Sequence, residues 1–289
     1  MITLNLVNLE KSDIRYKISK FPDGQQTVDI IDNNGSVLMP NTSVKIISRL
    51  NDFKDLELII CSNQALINLG IVDISLFTPY FMGARSDRKF QYGGVNYLKQ
   101  IICPIINSQN FKSVTVVDPH SDVLEACLNN YSKINNFPLV DDALSYIIGE
   151  GEEDSIVLVS PDAGAYKKIF DVAKEFNINK IITATKVRDL QSGKILRTEI
   201  PTLDQHENLS YVIIDDICDG GRTFIELAKA IKGSRPTAKV YLVVTHGIFS
   251  AGFVELNKLF SGIYCTNSYR DVADDEYGII TNTKQLNLF

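Results

Sequence analysis

The sequence predicts an α/β protein made of two similar halves, each a parallel β-sheet flanked by helices. Short apolar runs rich in β-branched residues alternate with helical patterns along most of the 289 residues, an order typical of parallel sheets. The chain is longer than one average domain, and the rhythm of its first half returns in the second. We therefore expect a duplicated fold, with domains at residues 1–141 and 142–289.

The composition is that of a soluble globular protein. Hydrophobic residues make up 45% and charged residues 22%, and the formal net charge of −6 argues against a general nucleic-acid binder. The five cysteines are scattered and lack CxxC spacing, which excludes a zinc ribbon or a disulfide framework and suits a reducing cytosol. Charge comes too early for a signal peptide, and no apolar run approaches the roughly 18 residues of a membrane span. These features predict a cytoplasmic protein with no membrane partner.

In the first half, short strands are expected at residues 2–7, 26–31 and 43–47. The Pro-Asp-Gly sequence within Phe21–Gln25 predicts a turn. The remaining elements of this half are expected, in order, as a helix over 52–69, a strand over 73–78, a helix over 94–108 and a strand over 114–117.

The second half repeats the alternation. Its strands are expected at 156–159, 180–184, 211–214, 240–245 and 262–265, and its helices at 141–148, 165–176, after 223, and at 250–259. Residues 185–200 are polar, carry four basic residues and hold a central Ser-Gly. They predict a mobile excursion or a hairpin.

Residues 211–232 point most directly to a ligand. An apolar strand leads to paired carboxylates, Asp215 and Asp216, then to a turn with two glycines and a helical pattern. Such a layout directs backbone N–H groups at an anion, and Thr223 can cap the helix and donate its hydroxyl to a phosphate oxygen. Because two acids would repel phosphate, we expect them to hold the vicinal hydroxyls of a ribose, or a magnesium ion bridging to a pyrophosphate. The alternative is an ordinary strand–turn–helix with exposed acids.

Other predicted strands also end in polar or basic groups. Ligands bind at the carboxyl edge of open α/β sheets, so this recurrence says more than any one strand end. The segments are Arg85–Lys89, Asp118–Asp122, Ser160–Gly164 and His246.

Together these segments resemble the ribose-phosphate pyrophosphokinase (phosphoribosyl pyrophosphate synthetase) family, and residues 211–232 resemble the type I phosphoribosyltransferase fold. Seven segments carry the resemblance in sequence order: FPDGQ (21–25), PYFMGARSDRK (79–89), VDPHSD (117–122), VSPDAG (159–164), KVR (186–188), DDICDGGRT (215–223) and THGIFS (245–250). The resemblance implies two phosphoribosyltransferase-like domains with an active site between the halves. It also implies Mg²⁺-dependent transfer of the β,γ-diphosphoryl group of ATP to the C1 hydroxyl of ribose 5-phosphate, giving phosphoribosyl pyrophosphate (PRPP) and AMP.

The resemblance also assigns roles to residues. Lys186 and Arg188 are expected to stabilise the transition state from a mobile loop that closes over bound substrates, with His120 as a third catalytic residue. The implied ATP-binding residues are Phe21, Asp23, Gln25, Arg85, Ser86, Asp87, Arg88 and His120. The implied ribose-phosphate-binding residues are Asp162, Asp215, Asp216, Asp219, Gly220, Gly221, Arg222 and Thr223. Magnesium is the implied cofactor, with His120 and Asp162 as its ligands.

Several of these assignments have a structural alternative. Arg85 and Arg88 could be surface residues on a turn, and Asp162 a simple helix N-cap. Lys194 and Arg197 are as easily solvent-facing as functional. His246 is expected to be architectural. The residues at 21–25 match a hairpin that in the family reaches into a neighbouring subunit's ATP site, so a homodimer or a higher homo-oligomer is expected.

Departures from the family pattern bear on the substrates. Gln25 stands where the family has Glu, and Ser86 where it usually has Gln, so both sides of the implied adenine pocket are altered. In the phosphate loop, Gly220–Arg222 replaces Thr-Gly-Gly, and the added guanidinium could bind a phosphate bidentately or point away. An acceptor with a longer 5′ group is therefore an alternative. ADP-ribose would give ADP-ribose pyrophosphate for NAD⁺ salvage, as in related phage enzymes.

The sequence disfavours two other functions. A phosphoribosyltransferase that consumes the pyrophosphate product is disfavoured, because the segments at 21–25 and 79–89 would then have no role. A non-catalytic homologue that senses nucleotides or PRPP is disfavoured by Lys186 and Arg188, because a sensor does not need loop cations that act on a transition state.

Overall fold

The structure is a computed structural model that describes residues 1–31, 38–39, 41–148, 155–188, 195–201, 209–273, 275–276, 279–280 and 283–289. The chain folds into two compact units, residues 1–135 with 288–289, and residues 136–287. Each unit contains its own parallel sheet, which confirms the predicted α/β class with two similar halves. The division predicted after residue 141 falls inside a helix of the second unit. No helix within the described ranges has the length and apolar character needed to cross a membrane.

The first unit has a five-stranded parallel sheet of order β1-β4-β5-β6-β7 and a separate antiparallel hairpin, β2–β3. Its strands are β1 (Ile2–Asn5), β2 (Tyr16–Lys20), β3 (Gln26–Ile30), β4 (Ser43–Ile47), β5 (Asp73–Phe77), β6 (Val114–Val117) and β7 (Tyr131–Ile134). Its α-helices are α1 (Phe53–Asn68), α2 (Cys103–Asn107) and α3 (Val123–Cys127), with a 3₁₀ turn at Leu9–Lys11 and a π-helical turn at Leu98–Ile102.

Helix α1 packs an apolar stripe onto the core of this unit. Asp52 caps it, since its carboxylate accepts hydrogen bonds from the backbone N–H of Lys54 at 2.8 Å and of Asp55 at 3.1 Å. Leu56, Ile59 and Leu66 recur at helical spacing and are buried. They join the strand residues in one hydrophobic cluster.

The sequence predicted the buried strands of this unit well and its short polar elements poorly. Strands β4 and β6 have the predicted bounds. Strands β2 and β7 and helix α3 were missed because β2 and β7 bury few of their side chains and α3 has only five residues. The predicted helix over 94–108 is wrong at its start. The Asn96 side chain accepts from the Lys99 N–H at 2.9 Å, and the helical segment opens there with the π-turn.

The second unit has a six-stranded parallel sheet of order β17-β14-β13-β12-β8-β9 and two small antiparallel pairs, β10–β11 and β15–β16. Its strands are β8 (Ile156–Ser160), β9 (Ile181–Thr183), β10 (Thr185–Arg188), β11 (Ile195–Glu199), β12 (Ser210–Cys218), β13 (Lys239–Gly247), β14 (Gly262–Thr266), β15 (Asp275–Glu276), β16 (Ile279–Ile280) and β17 (Thr283–Leu286). Its helices are α4 (Phe137–Ile148), α5 (Tyr166–Glu175), α6 (Arg222–Ser234) and α7 (Val254–Leu259).

Strand β12 lies inside the sheet and is buried on both faces. Tyr211 and Ile213 belong to one hydrophobic cluster, whereas Val212 and Ile214 belong to the cluster on the other side. A continuous apolar run is typical of a parallel strand covered by helices on both faces. This double burial fixes the position of the strand's carboxyl end.

Three predictions for the second unit need correction or refinement. Strand β12 does not end at residue 214 but continues to Cys218, because the neighbouring β13 pairs with it as far as Gly247. Helix α4 begins at Phe137, since Pro138 is tolerated in a first turn. Residues 185–200 contain the antiparallel pair β10–β11, which confirms the hairpin alternative, and residues 189–194 lie outside the described residues.

The cysteines of the described chain are free thiols. Burial raises the pKa of Cys103 and of Cys265 to about 12, and it also raises the pKa of Cys218. A thiol with such a pKa is protonated at neutral pH and is neither a nucleophile nor a ready metal ligand. These three side chains therefore serve as small apolar core residues.

The turn that follows β5 is fastened to the segment at 96–98. Leu98 N–H donates to the Ser86 carbonyl at 3.2 Å, and Asn96 Nδ2 donates to the Asp87 carbonyl at 2.6 Å. Gly83 has a φ of +82°, and a Cβ there would lie 2.6 Å from the Tyr97 ring. Glycine is required at residue 83 both for the left-handed backbone and for the close approach of this ring.

Replacing Gly83 by Ala should lower the free energy of unfolding by about 2 kcal/mol more than replacing Gly93 by Ala. Gly93 also has a positive φ, +78°, but a Cβ there would meet nothing within 4 Å. Both variants pay the backbone cost of a left-handed alanine, and only Gly83→Ala adds the clash with Tyr97. Urea unfolding of the two variants measures the difference. Equal losses would mean that the Tyr97 ring moves aside at no cost.

Candidate active site

The carboxyl end of β12 carries two adjacent carboxylates, of which Asp216 is buried and Asp215 is partly exposed. Asp216 is 5% exposed, and its backbone N–H donates to Asp215 Oδ1 at 2.9 Å. Burial raises the pKa of Asp215 well above its ordinary value, the negative charge of Asp216 raises it further, and the Lys168 ammonium only partly opposes this. Hydroxyl donors or a cation placed against the pair would relieve the repulsion. This chemistry fits the predicted binding of ribose hydroxyls.

The turn after β12 forms the N-terminus of α6. Gly221 is the N-cap of the helix, with a φ of +75°, and Arg222 is the first helical residue and is exposed. The predicted capping role of Thr223 is wrong, because Thr223 lies inside the first turn. The first N–H groups of a helix have no intrahelical partner and carry partial positive charge, so this turn can receive a phosphate.

The segment after β13 holds this turn in place. Ile248 N–H and Phe249 N–H both donate to the Cys218 carbonyl, at 2.8 and 3.1 Å. Ser250 donates through its backbone N–H to the Asp219 carbonyl at 3.2 Å and through Oγ to Asp219 Oδ1 at 2.6 Å. Asp219 is thus tied to Ser250, a role that residue-by-residue reasoning missed. The THGIFS resemblance marked this segment without explaining it.

His246, near the end of β13, is part of a buried hydrogen-bond network. Its side chain is buried, and Nδ1 lies 2.8 Å from the hydroxyl of Ser268. Ser268 in turn donates to the Thr245 carbonyl at 3.2 Å. This agrees with the architectural role expected from the sequence.

Asp162 lies at the carboxyl edge of the same sheet, after β8, which pairs with β12. Its Oδ1 accepts from Gly164 N–H at 3.0 Å and from Ala165 N–H at 3.2 Å, and its side chain is partly exposed. The N-cap of α5 is Ala165, so Asp162 closes the turn and does not cap the helix. The structure therefore brings Asp162, Asp215 and Asp216 to neighbouring strand ends of one sheet.

In the first unit, the turns after β5 and β6 meet around a buried carboxylate. Asp87 is 5% exposed, and Arg88 Nε donates to its Oδ1 at 3.1 Å. Burial by itself would raise the pKa of Asp87. The nearby Ser121 hydroxyl, the hydrogen bond from Arg88 and the positive charge beside it outweigh burial and hold the pKa below its ordinary value. Asp87 is therefore ionised at neutral pH, with the Arg88 guanidinium paired to it.

The other predicted ATP-binding residues of this unit are at its surface. Arg85 and His120 are exposed and Ser86 is partly exposed. Asp118, two residues before His120, has a φ of +42° and precedes a proline, an unfavourable combination that is typical of functional turns. The backbone after β6 is thus held in a conformation that presents His120 to solvent.

Residues 21–25 form the exposed tip of the β2–β3 hairpin. Phe21 N–H donates to the Gln25 carbonyl at 2.8 Å, and Gln25 N–H donates to Asp23 Oδ1 at 3.1 Å. Phe21 is 52% exposed. A large apolar side chain on a hairpin tip is consistent with the predicted contact with a nucleotide or a second subunit.

Lys186 and Arg188 lie on β10, paired in register with Thr198 and Ile195 of β11. Arg197 lies on β11, whereas Lys194 falls outside the described residues. The two predicted catalytic cations are thus brought onto one arm of a hairpin.

The predicted magnesium ligands fall in different units, His120 in the first and Asp162 in the second. Among the described residues there is no cluster of three or more His, Cys, Asp or Glu side chains that could hold a metal ion. A magnesium ion does not need such a cluster, because it usually takes one or two protein carboxylates together with water and substrate phosphates. Asp162 fits this kind of site.

Comparison with known proteins agrees with this geometry. Residues 130–251 match the phosphoribosyl transferase domain family. The chain is 26% identical over 242 residues to the ribose-phosphate pyrophosphokinase of Marinomonas sp. (strain MWYL1), covering 82% of this chain and 72% of that protein. It is 26% identical over 245 residues to ribose-phosphate pyrophosphokinase 2 of Archaeoglobus fulgidus, covering 82% of this chain and 80% of that protein.

The fold is similar to the crystal structure of phosphoribosylpyrophosphate synthetase from Mycobacterium smegmatis. The TM-score is 0.78 at 15% identity, covering 97% of this chain and 88% of that one. The parallel sheets and the glycine turn after the paired acids define a protein of the phosphoribosyltransferase fold. More particularly, the chain is similar over most of its length to ribose-phosphate pyrophosphokinases.

Replacing Asp215 by Asn should stabilise the protein at neutral pH, on the order of 1 kcal/mol. The pKa of Asp215 is raised in the folded state by burial and by Asp216, so folding is penalised once the unfolded-state carboxyl ionises above about pH 4. The gain should grow as the pH rises above that value and vanish below it. Urea unfolding across this pH range measures it.

The matched control is Asp171→Asn, which removes the same charge from an exposed position on α5. It should leave the stability nearly unchanged at every pH. A destabilised Asp215→Asn variant at neutral pH would contradict the repulsion between the two carboxylates.

Proposed function

We propose that the protein transfers the β,γ-diphosphoryl group of ATP to the C1 hydroxyl of a ribose 5-phosphate unit and releases AMP. With ribose 5-phosphate as acceptor the product is PRPP. One observation supports this most strongly. The adjacent carboxylates Asp215 and Asp216 stand directly before the glycine turn at the N-terminus of α6. Carboxylates that can accept hydrogen bonds from sugar hydroxyls thus lie next to a turn that can bind a phosphate, as binding of ribose 5-phosphate requires.

The acceptor is proposed to bind with its ribose hydroxyls on the pair and its 5-phosphate on the turn. Asp215 and Asp216 accept hydrogen bonds from the hydroxyls. Backbone N–H groups at residues 220–223 and the Thr223 hydroxyl, which is partly exposed, donate to the phosphate. Asp219 keeps the turn closed through its bond with Ser250.

The ATP side draws on cationic residues of the first unit. Arg85 and Arg88 are proposed to bind the phosphates, and His120 to bind the phosphates or the metal. Phe21, Asp23 and Gln25 would reach the ATP of a neighbouring copy, and for this reason we propose a homodimer or a higher homo-oligomer. The free thiols of the described chain suit a reducing compartment, which supports a cytoplasmic location.

Magnesium is proposed as the cofactor, and His120 in the first unit and Asp162 in the second are each proposed as a magnesium ligand. When bound to the substrate's phosphates, magnesium neutralises their negative charge. This chain's own residues position the two substrates, and Lys186 and Arg188 stabilise the charge that develops on the migrating diphosphoryl group.

The direct test is AMP release from ATP and Mg²⁺ with ribose 5-phosphate and ADP-ribose supplied separately as the sole acceptor. AMP formation that requires ribose 5-phosphate is the expected result and would establish PRPP synthesis. If ATP binds but no AMP forms with either acceptor, the enzymatic function is contradicted and a non-catalytic nucleotide sensor is favoured.

A second acceptor, ADP-ribose, is favoured by one specific observation. Arg222 is exposed at the first position of α6. It thus offers an accessible positive charge beside the phosphate turn for a second phosphate. An enzyme using ADP-ribose would make ADP-ribose pyrophosphate and serve NAD⁺ salvage. Replacing Arg222 by Gln should then raise the KM for ADP-ribose and leave the KM for ribose 5-phosphate nearly unchanged.

Replacing Lys186 by Ala should lower kcat by about 100-fold or more and leave ATP affinity within about threefold. Lys186 is proposed to act on the transition state, so its loss should affect turnover and not ground-state binding. Steady-state kinetics and calorimetric ATP titration measure the two quantities. Lys174→Ala, on an exposed position of α5, is the control and should change neither. A sensor would bind ATP equally in all three proteins and turn over in none.

A further inference from the structure

We propose that Asp87 is a positioning residue that fixes the guanidinium of Arg88 for ATP binding. The inference rests on the proposed function. It differs from the role that the family resemblance implies, in which Asp87 itself binds ATP. The contacts of this carboxylate within the first unit carry the proposal.

Asp87 is too deeply buried to be an effective ligand for ATP. It is 5% exposed, whereas the side chain of Arg88 is 70% exposed. A buried carboxylate would also repel a nucleotide's phosphates, which carry negative charge. An exposed arginine paired with a buried carboxylate attracts these phosphates instead, because its positive charge faces solvent. The ion pair also restrains its geometry.

The ion pair restrains Arg88 through one particular atom. Nε donates to Asp87 Oδ1 at 3.1 Å. Arginine binds phosphate bidentately through parallel N–H groups, and the bond to Asp87 leaves the two terminal amino groups for that purpose. The guanidinium also lies over the Phe90 ring, 5.9 Å from its centroid. Asp87 and Phe90 together limit the rotamers of Arg88 before a ligand arrives, which lowers the entropy cost of binding.

The same carboxylate reaches the turn after β6. It lies beside the Ser121 hydroxyl and the His120 imidazole, which follow β6, while its own residue follows the neighbouring strand β5. Its backbone is fixed as well, because Asn96 Nδ2 donates to the Asp87 carbonyl at 2.6 Å. The residue that holds Arg88 is therefore itself anchored within the first unit.

A double-mutant cycle on ATP affinity tests the proposal. Calorimetric titration of ATP with Mg²⁺ would compare the wild type, Asp87→Asn, Arg88→Gln and the double variant. Asp87→Asn keeps the side-chain shape, and it should weaken ATP binding about tenfold in the wild-type background. In the Arg88→Gln background it should weaken binding less than about twofold, because its effect is exerted through Arg88. Additive losses would overturn the proposal, and so would unchanged affinity in Asp87→Asn or an absence of ATP binding by the wild type.

The control is Asp73→Asn at the start of β5. Asp73 accepts from Ser43 Oγ at 2.6 Å and from Lys112 Nζ at 2.9 Å, so this variant also breaks a carboxylate network of the first unit. ATP affinity should stay at the wild-type value. A loss like that of Asp87→Asn would show a merely structural effect and contradict the proposal.

A second variant and a comparison with turnover complete the test. If Asp87→Asn does not fold, Asp87→Glu, which keeps the charge but moves the carboxylate, replaces it in the cycle. Its effect should also be non-additive with that of Arg88→Gln, and additivity would overturn the proposal. ATP affinity does not require turnover. If the two substitutions have non-additive effects on ATP affinity but no AMP is released, only the proposed function is contradicted. If the enzyme turns over but the two losses of ATP affinity are additive, only this inference is contradicted.

Discussion

The crowding of two carboxylates at the end of β12 is the constraint on which the rest of the second unit depends. Asp215 and Asp216 are adjacent in sequence, and the strand that carries them is covered on both faces, so neither can move away from the other. Burial and mutual repulsion raise the pKa of Asp215. The folded protein thus keeps an unfavourable arrangement that a ligand rich in hydroxyl donors would relieve.

The first unit uses a buried carboxylate in the opposite way. Asp87 is as inaccessible as Asp216, but Arg88 and His120 lie beside it and its pKa is lowered. Burial raises the pKa at both sites, and the neighbouring charges decide whether that rise is increased, as at Asp215, or reversed, as at Asp87. In the proposed reaction, one unit offers acceptors to a sugar and the other offers restrained cations to a polyphosphate.

Much of the fold could be predicted because buried parallel strands consist of apolar runs that the sequence shows directly, as in β4, β6 and the core of β12. Strand β7 could not, since its exposed, polar residues show no periodicity. The site residues could be identified by family resemblance, but their contacts could not. The bond between Ser250 and Asp219 joins residues 31 positions apart, and the burial of Asp87 depends on packing that local sequence does not encode.

The most direct test of the paired-carboxylate account is to count the protons released when ribose 5-phosphate binds. Calorimetric titration with Mg²⁺, in buffers of different ionisation enthalpy between about pH 5 and pH 8, gives this number. The wild type is compared with Asp215→Asn, because the phosphate of ribose 5-phosphate also ionises at about pH 6. At the acidic end the wild type should release more protons than the variant, by up to about one per site, and the difference should fade as the pH rises past the raised pKa of Asp215. Equal proton release by the two proteins throughout this range would contradict the account.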